Sequence, residues 1–178
     1  MKQLIAQGKD VSHIDGHSRQ YLTFSVAHQV MAISILDVKE IIELSDMTRV
    51  PMTSQEIRGV INLRGNVVPV VDLPFRLLGT PAKLSKRSCI VFVETEHNEE
   101  HNLVGMMVDN VREILDIADQ QLQSPPEFGT DIANEYIHHM ARYDEDFITL
   151  LNINRVLTLE EISQHQSALE HLPEVVHA

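Results

Sequence analysis

Val60-Ile-Asn-Leu-Arg-Gly-Asn-Val-Val-Pro-Val-Val-Asp-Leu73 is two apolar runs joined by a turn. The pair Gly65-Asn66 between them supplies the positive-φ positions that a tight hairpin uses. Val60 to Arg64 and Val67 to Leu73 therefore read as antiparallel neighbours in a sheet. Pro69 has no N–H to give a ladder, which puts the second strand at an edge or places a bulge there.

Three more apolar blocks lie upstream: Tyr21 to Val26, Val30 to Ile35 and Lys39 to Leu44. Leu22, Phe24 and Val26 interleave with Tyr21, Thr23 and Ser25, and Ile33 and Ile35 flank Ser34, the alternation of a half-buried strand. The composition agrees, with 18 Val and 16 Ile against 5 Phe, 3 Tyr and no Trp. Helix is expected to be sparse. One turn is read over Ser54 to Val60, about three turns over Asp131 to Arg142, and a terminal amphipathic helix over Leu159 to Leu169, capped by Thr158.

The second half repeats the first. Val38-Lys-Glu-Ile-Ile-Glu-Leu44 lies over Val111-Arg-Glu-Ile-Leu-Asp-Ile117 at an offset of 73, and Met31 to Asp37 lies over Val104 to Asn110 at the same offset. Tyr21 to Val26 lies over Cys89 to Glu94 at 68, matching Phe24 to Phe92, and Val67 to Leu73 lies over Phe147 to Ile153 at 80. Five short strands given twice suggest two small closed antiparallel barrels, since closure removes exposed edges. A single ten-stranded sandwich is the alternative. The expected division is an extension (1–18), two barrel subdomains (about 19–80 and 88–157, with exchange of strands between them left open) and a C-terminal helix and tail (158–178).

Composition narrows the function. At 178 residues and 20.2 kDa the chain needs no disulfide to fold, and its single cysteine, Cys89, excludes an intrachain disulfide or a Cys-rich metal site. That cysteine usage fits the cytoplasm. A net charge of −12 opposes phosphate neutralisation, so no nucleic-acid partner is expected. No apolar run reaches membrane-span length and Met1 to Asp10 holds no apolar signal core, so no membrane insertion is expected.

No enzyme constellation emerges. The phosphate-binding glycine patterns GxGxxG and GxxxxGK are absent, no serine sits in a GxSxG elbow, and Cys89 lies in the apolar run Cys89-Ile-Val-Phe-Val93. Glu94-Thr-Glu-His-Asn-Glu-Glu-His101 brings His97 and His101 four apart, but Asn98 stands where a zincin needs Glu, and a solvated hairpin tip accounts for the run better. His138-His139 falls in the presumed helix, which would point the rings apart. Asp144, Glu145 and Asp146 read as a polar hairpin tip. No cofactor, no metal and no catalysis are expected, and a binding module is the leading class.

Ile57-Arg-Gly-Val-Ile-Asn-Leu-Arg-Gly-Asn-Val-Val-Pro-Val-Val-Asp-Leu73 resembles the signature of the CheW chemotaxis coupling family. The resemblance extends to Asp37-Val-Lys-Glu-Ile41, Val104-Gly-Met-Met-Val-Asp-Asn-Val111 and Leu122-Gln-Ser-Pro-Pro-Glu-Phe128, covering about Arg19 to Leu157. It implies an all-β fold of two five-stranded SH3-like barrels, and a scaffold joining the regulatory domain of the histidine kinase CheA to the cytoplasmic tips of chemoreceptors. By that resemblance the protein is cytoplasmic and recruited to membrane-associated receptor arrays. A CheW-like adaptor for another kinase pathway, such as surface motility, is the alternative. The length leaves no room for a kinase or receiver segment, so the resemblance is to the stand-alone coupler.

Carried over by position, Glu40 and Arg64 match a charged pair that shapes the family's receptor-binding surface. Val38, Ile41, Cys89, Ile90, Val111 and Ile114 match apolar positions lining the groove between barrels that receives a helical receptor tip. For each of these aliphatics plain core packing is an equal reading, because sequence does not say which strand face is the groove. Phe128 matches an aromatic that contacts the kinase in arrays. Gln123 stands where the family often has arginine, and Glu161 to Ala178 matches no family motif.

Overall fold

The computed structural model describes residues 17–49, 55–127 and 129–158, and of His97 the backbone alone. The first repeat gives β1 (Ser18–Val26), β2 (Gln29–Ser34), β3 (Val38–Glu43), β4 (Ile57–Leu63), β5 (Asn66–Asp72) and α1 (Leu73–Leu78). The second gives β6 (Cys89–His97), β7 (Glu100–Val108), β8 (Asn110–Ala118), the two-residue β9 (Leu122–Gln123), β10 (Ile137–Tyr143), β11 (Asp146–Leu151) and α2 (Ile153–Val156). The expected C-terminal helix and most of the N-terminal extension lie outside the described residues.

Each sheet draws on both repeats. One has the order β8-β1-β2-β11-β10-β9 and the other β3-β6-β7-β5-β4. The first two strands of each repeat thus pair with the last strands of the other, through parallel contacts of β11 with β2 and of β5 with β7. Both sheets close in the same way. β8 and β9 stand at opposite ends of their sheet order yet are joined by the single 3-10 turn Asp119–Gln121, so one bending strand pairs with β1 and then with β10. In the five-stranded sheet the chain beyond β3 does the same, and Thr48 bridges to Val60 of β4. These are two SH3-like barrels.

Three cores follow from strand alternation. Ala32, Leu115, Ile117, Ala141, Ile148 and Leu150 fill the six-stranded barrel, and Ile61, Val68, Val70, Ile90, Phe92 and Met107 fill the five-stranded one. The largest core lies between the barrels and includes Leu22, Phe24, Met31 and Ile33 from one sheet and Val91, Val93, Val104 and Met106 from the other. β1, β2, β6 and β7 are buried on both faces, which is why they read as dense apolar blocks. Each large side chain so buried is worth roughly 1.5–3 kcal/mol, so the shared core joins the barrels firmly.

The fold corrects several expectations. Phe24 faces the shared core while Phe92 faces a barrel interior, so matching the two rings slips the repeat by one residue. Leu22 and Val91 are the equivalent pair, since they lie opposite Ile114 and Ile41 at the 73-residue offset, and the true offset there is 69. Ser54 to Val60 forms no helical turn among its described residues, because β4 already begins at Ile57. Asp131 to Arg142 holds only the 3-10 turn Asn134–Tyr136 before β10. The hairpin turn is Arg64 (φ 52) and Gly65 (φ 85), with Asn66 already paired to Leu63; the Asn62 side chain accepts the Gly65 N–H at 3.0 Å. β5 is an inner strand, but its pairing with β7 starts at Val70. Pro69 thus sits where the strand has one neighbour.

Candidate functional site at the rim of the shared core

β3 and β8 are repeat equivalents, and each ends its sheet order beside the shared core. Val38 and Ile41 of β3, Val111 and Ile114 of β8, and Cys89 at the start of β6 are all half-buried and pack against that core. Four of them form two equivalent pairs, Val38 with Val111 and Ile41 with Ile114. Both strands reach this position through the same device: an extra residue between Val38 and Glu40 opposite β6, and another between Val111 and Ile114 opposite β1. Such a bulge re-aims the side chains beside it. On β8 the Thr23 hydroxyl donates to the Glu113 carbonyl at 2.6 Å and accepts the Glu113 N–H at 3.0 Å, satisfying the backbone that the bulge frees.

Cys89 ties the rim together across the two repeats. Burial pushes its thiol above the ordinary range and the Glu43 carboxylate acts the same way, while a hydrogen bond from the Val111 backbone opposes them. Its Sγ donates to the Arg87 carbonyl at 3.3 Å. Ile90 is the exception among the expected rim residues. It is 0% exposed and packs inside the five-stranded barrel, because the residue next to Cys89 on a strand points to the opposite face.

Glu40 and Arg64 meet at 3.4 Å, with side-chain exposures of 30% and 81%. β3 and β4 end the sheet order, so this ion pair spans the seam that Thr48 and Val60 close further along. On the neighbouring strand β6, Glu94 pairs with Lys39 at 3.5 Å and with His101 Nδ1 at 2.8 Å. The described residues hold no group of three His, Cys, Asp or Glu able to share a metal, and the His97 side chain and Phe128 lie outside them. His138 and His139 are not splayed on a helix: the β10 bulge between Ile137 and His139 sets their ring centroids 4.5 Å apart.

A buried polar network escaped sequence reading. Asp72, 1% exposed, caps α1 by accepting the Phe75 N–H at 3.1 Å, accepts the Ala82 N–H at 3.0 Å and lies 3.7 Å from Arg58. Arg58 in turn donates to the Ala82 carbonyl at 3.3 Å. The linker is thereby fixed beside the rim. The signal was present as Asp72-Leu-Pro74, a capping residue with proline in the first helical turn.

A family model described as CheW-like domain matches residues 20–161. The chemotaxis protein CheW of Klebsiella aerogenes is 29% identical over 155 residues, covering 86% of this chain and 91% of that protein. That of Thermotoga maritima is 31% identical over 147 residues, covering 81% and 89%. Protein FrzA of Myxococcus xanthus is 28% identical over 141 residues, covering 78% and 85%. Among solved structures, the scaffolding protein TtCheW of Thermoanaerobacter tengcongensis superposes with a TM-score of 0.70 at 28% identity, covering 83% of this chain and 91% of its own. Matched along nearly the whole of its two barrels, in sequence and in fold, the chain belongs to the CheW-like domain family.

Proposed function

We propose that this chain is a chemotaxis adaptor that couples the cytoplasmic tips of chemoreceptors to the regulatory domain of the histidine kinase CheA. The observation that carries the reading is the rim: five half-buried apolar side chains from both repeats, with Glu40, the partner of Arg64, on the same strand as Val38 and Ile41. A helical receptor tip laid there finishes the burial that the shared core leaves incomplete, at about 25 cal/mol per Å² of apolar surface. The charged pair orients the tip more than it adds affinity. Because both barrels contribute, a tip seated on the rim reports to the whole molecule. Phe128 serves as an anchor toward the kinase, as an apolar ring behind Pro125-Pro126 suits. Binding, not catalysis, is the activity, and association with these partners brings the adaptor to the membrane-bound array.

Titration of the purified protein against a CheA regulatory domain, followed by addition of receptor tips, tests this reading. Binding to both, with a ternary complex, supports it. A folded protein that binds neither favours the second reading, an adaptor in another kinase pathway, which the likeness to FrzA supports.

A further inference from the structure

Beside the rim runs a groove of about 550 Å³ whose walls come from three places: the β1–β2 turn with His28, the linker with Lys83 and Arg87, and the segment Asp109, Asn110 and Arg112 that opens β8. It adjoins the rim directly, since Arg87 lies two residues before Cys89, and Asn110 and Arg112 flank Val111.

The charge of its lining gives the groove a chemistry. Lys83, Arg87 and Arg112 are all exposed, and none of them pairs with a carboxylate among the described residues. The one acid in the groove is Asp109, whose Oδ2 accepts the Ala27 N–H at 2.7 Å. That bond holds Ala27 at φ 47, a conformation costly for alanine. On a chain of net charge −12, three cations against one carboxylate around one concavity make a local positive field.

We propose that this groove receives an acidic stretch of the receptor segment that docks on the rim, its carboxylates meeting Lys83, Arg87 and Arg112. This rests on the receptor-coupling reading above and specifies the partner further: apolar where it crosses Val111 and Cys89, acidic where it continues past Arg87.

The test is a titration of a fluorescently labelled receptor-tip fragment at 50 and 300 mM salt, with the intact protein and with Arg87→Glu, Arg112→Glu and the distant Arg142→Glu. Each variant's fold is checked by its thermal melt. Expected are a loss of tenfold or more in affinity for Arg87→Glu and Arg112→Glu, a weaker salt dependence in both, and a change below twofold for Arg142→Glu. Wild-type affinity in the groove variants, or an equal loss in Arg142→Glu, overturns the groove assignment and leaves the coupling function standing. No binding of any tip by the intact protein overturns both.

Discussion

A β-carbon on Gly59 would lie 2.7 Å from the carbonyl oxygen of Thr48. The two strands approach so closely because Val60 and Thr48 exchange backbone hydrogen bonds at 2.9 and 3.1 Å, closing the five-stranded barrel. Backbone on one side and Met47 on the other leave no room to give. Gly59→Ala is therefore expected to destabilise the protein by about 1–3 kcal/mol, the usual cost of overpacking. Urea unfolding followed by circular dichroism measures it, and an unchanged midpoint contradicts this account of the seam.

Asp72 fixes three things at once: the start of α1, the linker at Ala82 and the Arg58 side chain. Removing a buried partner strands the other charge, so Asp72→Ala should cost roughly 3–5 kcal/mol. Asp72→Asn keeps an acceptor for the cap and should cost less. Because the linker walls the groove beside the rim, hydrogen exchange in residues 80–88 should rise in Asp72→Ala. Protection at the wild-type level there would mean the linker is held by other contacts.

These two sites show what the sequence makes readable. The hairpin at Arg64-Gly65 and the internal repeat are written in local alternation and spacing, and they locate both barrels. The face each strand presents is written across the sheet, which is why Phe24 and Phe92 look equivalent and are not. A bulge hides itself in the same way: His138 and His139 break the two-residue period of β10, and the spacing of Ile132, Tyr136 and Met140 then imitates a helix. The rim needed both sheets at once. Sequence gives Val38, Ile41, Ile90, Val111 and Ile114 the same character, and only the pairing of β3 with β6 and of β8 with β1 separates Ile90 from the rest.

Arg64 is 81% exposed and joins Glu40 at 3.4 Å, so the pair adds only about 0–1 kcal/mol to stability. Arg64→Glu should leave the melting temperature within a few degrees of wild type while weakening receptor-tip binding about tenfold or more. Reversing both charges, Glu40→Arg with Arg64→Glu, should restore the pair but not the binding, since the tip then meets the opposite polarity. Wild-type affinity in Arg64→Glu would remove this residue from the surface.

Cys89 provides a probe that needs no mutation. Its thiol is half-buried and pushed up by burial, so at neutral pH it holds less of the reactive thiolate than an ordinary cysteine. Alkylation by iodoacetamide should run slower than that of a free thiol such as glutathione, and a bound receptor tip should slow it further. Protection by the kinase domain alone, without the tip, would place the wrong partner on the rim.

His139 should make stability depend on pH in a defined direction. Burial holds its imidazole below the ordinary value of 6.5, and the neighbouring His138 pushes the same way. Arg19 and Asp37 line the same pocket, so one further positive and one negative group face the pair. Since the folded protein resists the proton that the unfolded chain accepts, stability is full above about pH 6.5 and declines as the pH falls through it. The loss levels off once the pH is below the folded value. His139→Gln cannot titrate, and the difference in urea midpoint between it and wild type cancels the histidines outside the His138–His139 pair. That difference should shift against wild type between pH 7.5 and 5.5; a constant difference would show that His139 gains its proton as easily in the fold as outside it.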